Sequence, residues 1–336
     1  MQGSTRRAAL TGAAGLAAGA LARRAVAQPL APAFPDRPLR VLVPFAPGGS
    51  TDIIARLLSE QVRQHLGQPV VVENRPGANR QIALEATARA RPDGTTAMIG
   101  NVTTNGTAPL INARRLGLDY ERDMAPVTRI ADVPSLLVAT RANLPAGTLP
   151  ELVAHARAHP GRLNYMSTGV GAYTHLDTVM LARAAGIDVV HVVLSAGAGP
   201  TGQSLISGDV HFGFLNVATG TPLVRGGQLR ALAVTGPQRL EEWPEVPTMA
   251  EAGFPGIGTS SWHVMMVPAG VPAPVVEALF QATRGAIASE PVQAAFRRQS
   301  ILPTPSESPE EARGWMRAEL ARWRRIIRET GIEAAE

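Results

Sequence analysis

Leu39-Arg40-Val41-Leu42-Val43-Pro44-Phe45-Ala46-Pro47-Gly48-Gly49-Ser50-Thr51-Asp52 is the stretch that decides the fold of this chain. Leu39 to Val43 is a short apolar run rich in valine, the pattern of a buried strand. Pro44, Pro47, Gly48 and Gly49 then force a turn, and beyond it Ile54, Leu58 and Val62 recur at helical spacing. This strand, turn and helix place residues 48–52 at the first turn of the helix. Peptide N–H groups there have no intrahelical acceptor and lie at the positive end of the helix dipole. They bind an anion without any charged side chain.

The alternation continues downstream. Strands are predicted over 39–44, 69–73 and 96–100, with helices over 51–66 and 81–90 between them. A second series has strands over 135–140, 163–166, 189–193, 210–215 and 229–235, and helices over 148–158, 173–185 and 201–207. A strand over 262–267 follows, then helices over 273–288 and 309–329, the last with Trp315, Leu320, Trp323 and Ile327 on an apolar face. Alternation of this kind implies parallel strands crossed by helices, with ligands at the carboxyl ends of the strands. Two such series predict an α/β protein of two doubly wound domains joined by crossing strands. Lobe 1 is expected over 38–132 plus 259–336 and lobe 2 over 133–258, with the ligand in the cleft between them.

Residues 1–27 read as an export signal: Arg6-Arg7 in a basic start, an Ala/Gly/Leu run to Ala22, and Ala25-Val26-Ala27 as an A-x-A cleavage site. The Arg pair and weakly hydrophobic core resemble a twin-arginine signal, and the general secretory route stays open. Either route predicts a periplasmic protein in a Gram-negative cell, cleaved near Ala27, with 28–37 as a Pro-rich leader. The signal carries four Arg and no acid, so its removal takes the formal charge from +5 to +1. Aromatic residues make up only 4% of the chain, which leaves a nucleic-acid surface without stacking platforms. There is no Cys and no Lys. Thiolate nucleophiles, sulfur metal sites, a Walker-A lysine and Schiff-base chemistry are thereby excluded. Beyond the signal no apolar run is long enough to span a bilayer, so a soluble mature protein is expected.

Several segments together resemble the periplasmic solute receptors of tripartite tricarboxylate transporters, the Bug-type receptors. They are Val43-Pro44-Phe45-Ala46-Pro47-Gly48-Gly49 with Thr51-Asp52, Val71-Val72-Glu73-Asn74-Arg75-Pro76-Gly77-Ala78, Pro92-Asp93-Gly94 and Pro160-Gly161-Arg162-Leu163-Asn164-Tyr165. Later pieces are Leu229-Arg230-Ala231-Leu232-Ala233-Val234-Thr235, Val246-Pro247-Thr248-Met249-Ala250-Glu251-Ala252-Gly253 and Met266-Val267-Pro268-Ala269-Gly270-Val271-Pro272. The resemblance implies a Venus-flytrap fold of the periplasmic-binding-protein type. It also implies a monomeric, non-catalytic receptor without cofactor that closes on a small carboxylate and hands it to inner-membrane permease subunits.

Three loops are candidates for the site. By resemblance Phe45, Ala46, Gly48, Gly49, Ser50 and Thr51 sit over the ligand, while Asp52, an acid in the first helical turn, reads as a cap. The run Ser167-Thr168-Gly169-Val170-Gly171-Ala172-Tyr173 repeats the design in the other lobe. It contributes Ser167, Thr168, Gly169, Ala172 and Tyr173, so that two helix N-termini could clamp a dicarboxylate end to end, with Tyr173 as a specificity contact and His175 as a structural histidine. A third loop offers Asn101, Thr103 and Thr104 to the ligand or to its own turn. The chain also departs from the family pattern. Asn79-Arg80 replace a Gly-Gly pair, the loop from Val193 to Pro200 is altered, and His211 stands where an acid is usual. Asn216 and Thr219 are candidates to compensate.

Enzyme readings fail on spacing. Neither Ser50 nor Ser167 has the glycines of a nucleophile elbow. His155 and His159 lack the Glu of a zinc helix, and Gly48-Gly49 lacks the third glycine of a nicotinamide fingerprint. The expectation is a receptor with no catalytic residue and no metal. A sensory receptor using the same cleft, or an α/β enzyme acting on an organic acid, are the alternatives.

Overall fold

The computed structural model describes residues 34–194 and 198–332, with residues 198–200 as backbone only. The export signal and the leader up to residue 33 lie outside the described residues, as do Ser195 to Gly197 of the altered loop.

The strands are β1 (Leu39–Val43), β2 (Val70–Asn74), β3 (Thr96–Asn101), β4 (Met124–Val133), β5 (Ser135–Thr140), β6 (Leu163–Ser167), β7 (Val189–Val193), β8 (Phe212–Asn216), β9 (Leu229–Val234), β10 (Ser261–Pro268) and β11 (Leu302–Pro303). They form two sheets, in the orders β11-β4-β10-β3-β1-β2 and β7-β6-β8-β5-β9. The helices are α1 (Ser50–Leu66), α2 (Gln81–Ala88), α3 (Ala108–Ile111), α4 (Tyr120–Asp123), α5 (Leu149–Ala158), α6 (Tyr173–Ala185), α7 (Ala198–Ser207), α8 (Val217–Arg225), α9 (Ala273–Ala288), α10 (Glu290–Arg298) and α11 (Pro309–Thr330). The protein has two α/β domains, one around each sheet, and the chain crosses between them at Pro134 and again between β9 and β10.

The sheets are mixed, which corrects the expectation of parallel strands. β1 runs parallel to β2 and β3, and β6 parallel to β7 and β8. β10 runs against β3 and β4, and β5 against β8 and β9. Apart from the two-residue edge strand β11, which runs against β4, the antiparallel pairings involve β5 and β10, the strands on which the chain enters each sheet from the other. No crossover helix precedes such a strand to set its direction.

Each helix is held by the stripe its sequence carries. On α1, Ile54, Leu58 and Val62 are buried and pack on β1, β3 and α9. Gly67 ends α1 in the left-handed conformation (φ +68°) that a side chain disfavours. On α11, Met316, Leu320 and Trp323 are buried in a cluster that also contains Tyr173 and Leu176 of α6. Arg183, near the other end of α6, donates hydrogen bonds to the Glu329 carbonyl and, at 2.7 Å, to the Thr330 carbonyl. The last helix thus binds elements of both domains.

Candidate functional site

A cavity of about 600 Å³ lies between the two domains. It is reached by the carboxyl ends of β1, β3, β6, β7 and β8, the ends at which α/β sheets present ligands. Of the residues expected from sequence, Phe45, Ala46, Gly49, Ser50, Thr51, Asn101, Thr103, Thr168, Gly169 and Tyr173 line it, as do Asn216 and Thr219. Gly48, Thr104, Ser167 and Ala172 do not form part of the wall. Each is drawn elsewhere by local bonding or burial.

The first loop is built to hold its shape. Gly48 turns the chain at φ +88° and its N–H donates to Asp52 Oδ2 at 3.0 Å. Asn74 Nδ2 donates to Asp52 Oδ1 at 2.9 Å and to the Phe45 carbonyl at 3.0 Å, and Arg56 Nε donates to both Asp52 oxygens at 3.1 Å. Burial by itself would raise the Asp52 carboxyl. The hydrogen bonds from Arg56, Gly48 and Asn74 outweigh it and hold the group below the ordinary carboxylate range. Asp52 is therefore the brace of the loop. Gly49 caps α1 without a side-chain bond, so the first N–H groups of the helix are left for a ligand. Behind them, the Thr51 hydroxyl meets His263 Nε2 at 3.1 Å. His263 is fully buried, and burial pushes its imidazole down to about 4.

The second loop is different. Gly169 N–H donates to Ser167 Oγ (3.2 Å), Gly171 N–H to His175 Nδ1 (3.0 Å), and Tyr173 N–H to Thr103 Oγ1 (3.5 Å). Ser167 Oγ also meets His191 Nε2 at 2.6 Å, and neither residue lines the cavity. His175 and His191 stack with ring centroids 4.0 Å apart, and Tyr165 stacks on His191 at 4.9 Å. Burial, then the neighbouring His191, pushes His175 down to about 4. Ala172 is fully buried and its carbonyl accepts from the N–H groups of His175 and Leu176. The donors that sequence spacing assigned to an anion are largely spent inside the loop. Tyr173 lines the cavity, but its hydroxyl already donates to Asn216 Oδ1 (2.8 Å) and lies 3.2 Å from Ser135 Oγ.

The third loop serves its own turn as well as the wall, because Asn101 Oδ1 accepts from the N–H groups of Thr103 and Thr104. The Thr104 side chain is wholly buried. His211 accepts from Asn164 N–H through Nδ1 at 2.9 Å and stands off the wall.

Two arginines at the wall were not assigned from sequence. Arg80 lies on the segment after β2, buried, with its Cζ 5.4 Å from the Phe45 ring centre. Its guanidinium donates to the Thr168 carbonyl (2.8 Å), to Thr168 Oγ1 (3.1 Å) and to Asn79 Oδ1. Arg115 lines the cavity from the exposed side. Among the described residues no Asp or Glu lines it. The only sequence signal for Arg80 was the replacement of a Gly-Gly pair. Across the cavity, Asn216 Nδ2 donates to Ser50 Oγ at 2.8 Å, so the domains are tied at Ser50–Asn216, Thr103–Tyr173 and Arg80–Thr168.

Comparison with known proteins agrees with this geometry. A model of the tripartite tricarboxylate transporter family receptor matches residues 54–332. Protein BugT of Bordetella pertussis is 35% identical over 318 residues, covering 93% of this chain and 95% of that one. A solved structure of R. palustris Rpa4515 with adipate superposes with a TM-score of 0.84 at 33% identity, over 90% of this chain and all (100%) of that one. MatC (Rpa3494) from Rhodopseudomonas palustris with bound malate gives 0.80 at 31% identity, over 88% of this chain and 100% of that one. With the family model spanning both domains and relatives matched nearly end to end, the chain belongs to the tripartite tricarboxylate transporter receptor family and is a binding protein, not an enzyme.

Proposed function

We propose that this protein is a periplasmic receptor that binds a small carboxylate-bearing metabolite between its two domains and delivers it to inner-membrane permease subunits of the tripartite tricarboxylate type. The observation that carries the reading is the cavity wall: N–H groups at the start of α1 from Gly49 to Thr51, two arginines and, among the described residues, no carboxylate. An anion entering such a cavity exchanges water for oriented donors, and closure of the domains around it shields that interaction from solvent. The adipate and malate held by two related proteins are consistent with this chemistry.

In this reading Phe45, Ala46, Gly49, Ser50, Thr51, Asn101, Thr103, Thr168, Gly169 and Tyr173 contact the ligand. Gly48, Thr104, Ser167 and Ala172 support those that do. The domains are taken as 38–132 plus 259–336 and 133–258, save that Val133 stays with the first sheet as the last residue of β4. In this reading the receptor works as a monomer. The export signal is cleaved near Ala27.

The test is thermal stability of the refolded, ligand-free protein against a panel of straight-chain and hydroxylated mono-, di- and tricarboxylic acids. A ligand at about 100 times its dissociation constant adds roughly 2.7 kcal/mol, a shift that a melting curve resolves. Stabilisation by one class of acid supports the reading. A panel that leaves the melting temperature unmoved, confirmed by calorimetric titration, removes the carboxylate.

A further inference from the structure

The N–H donors of Gly169, Gly171, Ala172 and Tyr173 in the second loop are spent within the protein, and a guanidinium stands beside that loop. Arg80 reaches across from the first domain to Thr168, and a Cβ built on Gly169 would come within 2.9 Å of Arg80 Nη1. All three hydrogen bonds of that guanidinium go to neutral oxygens, and no ion pair reaches it among the described residues. Guanidinium carries five N–H donors, so this one retains capacity, its Nε–H included. A buried cation without a counter-ion is expensive, and the fold holds this one at further cost. Ala78, Asn79 and Arg80 have φ of +42°, +49° and +73°, three consecutive side-chain-bearing residues in the left-handed region that favours glycine. Asn112 lines the same cavity, is buried, and its Nδ2 has no partner among the described residues.

We propose that Arg80 is the counter-ion for a ligand carboxylate at the second-domain end of the cavity. This chain then reads the solute's charge with a side chain there and with helix N–H groups at the α1 end. The inference rests on the carboxylate-receptor reading above and deepens it. Burial pushes the Arg80 guanidinium down to about 10, which leaves it charged at neutral pH. Because the same group bonds to Thr168 of the other domain, a ligand held by Arg80 is also linked to that domain.

Two variants test it, Arg80→Gly and Arg80→Gln, each refolded free of ligand and titrated calorimetrically at pH 7. The probes are the straight-chain and hydroxylated mono-, di- and tricarboxylic acids of the panel above and their amides. Arg80→Gly is expected to melt no lower than the parent without ligand, since glycine suits a φ of +73°. Affinity for the acid that binds the parent best is expected to fall about 30-fold or more in both variants, with amide binding unchanged. Acid affinity within about threefold of the parent in both variants overturns the role of Arg80 and leaves the receptor reading standing. Equal loss of acid and amide also overturns it, because Arg80 would then be a tie between domains and not a counter-ion. If no acid binds the parent, the receptor reading falls and the role of Arg80 with it.

Discussion

Replacement of Asp52 by alanine should loosen the first ligand loop by an amount that its bonding sets. The carboxylate is buried and accepts from Gly48 N–H, Asn74 Nδ2 and Arg56 Nε. The arginine is half exposed, so its pairing adds at most about 1 kcal/mol. The other two are hydrogen bonds to an ionised group, worth about 1.5–3 kcal/mol each. Gly48 is exposed and Asn74 half-buried, so water replaces part of what the carboxylate gave. The expected loss is about 2–3 kcal/mol for Asp52→Ala and about half of that for Asp52→Asn, which keeps one acceptor oxygen. Urea unfolding at pH 7, extrapolated linearly, measures it. The pH dependence has a definite sign. The folded carboxyl is held below its unfolded value, so its contribution is complete above the unfolded pKa and is lost as pH falls through the folded one. The parent and Asp52→Ala should therefore converge in acid. Equal stability of parent and variant at pH 7 would refute the reasoning. So would tighter acid binding by Asp52→Ala, since that would mean the carboxylate faces the ligand and repels it.

Three further outcomes are expected. Between about pH 4 and 6.5 the protein should gain stability as pH rises, because buried His263 and His175, both pushed down to about 4, stay neutral in the fold and protonate when unfolded. Asp177 opposes this: burial pushes it up to about 7 against hydrogen bonds from Thr259, so it weakens the fold as pH rises towards 7. Asp177→Asn should steepen the gain in a pH series of unfolding curves, and an unchanged slope would rule it out. Gly171→Ala places a Cβ at φ +72°, 2.1 Å from Ile111 Cδ1 of the other domain, and should cost at least about 1–2 kcal/mol and weaken ligand binding. Trp323→Ala empties the centre of the cluster joining α11 to α6 and should cost about 3–5 kcal/mol by urea unfolding, against a marginal effect if that cluster is peripheral.

Sequence made the architecture legible wherever period and punctuation agreed. α1, α9 and α11 carry apolar stripes between Gly or Pro signals and form where those signals put them, and α6 forms between Gly171 and Gly186 although it also buries Thr174, His175, Asp177 and Thr178. α8 was hidden because Gly220 and Pro222 stand inside it. β4 was hidden because Pro126, Arg129 and Asp132 interrupt a strand whose pairing with β10 is irregular in register. In the site, the first loop was legible because a strand, turn and helix define its donors locally. The second loop follows the same local pattern, yet its donors turn to Ser167 and His175, a choice made by tertiary packing around stacked histidines. Arg80 could be noticed as a departure but not located. Its burial depends on Phe45 and Thr168, which lie 35 and 88 positions away in sequence.

The tie between Arg183 and the carbonyls at the end of α11 gives α6 the character of a lever. At about 1.5 Å per residue, its 13 residues make an arm near 20 Å long. One end of the arm stands in the cavity at Tyr173, and the other is moored to the last turn of the C-terminal helix. Any swing of the second domain away from the first must slip that mooring or carry the helix end along. The last carbonyls of a helix are the ones its own ladder leaves free, so the mooring uses bonds whose loss does not unwind α11. A probe or tag fused just after Gly331 would sit at the moored end of that arm and report its movement without touching the cavity wall.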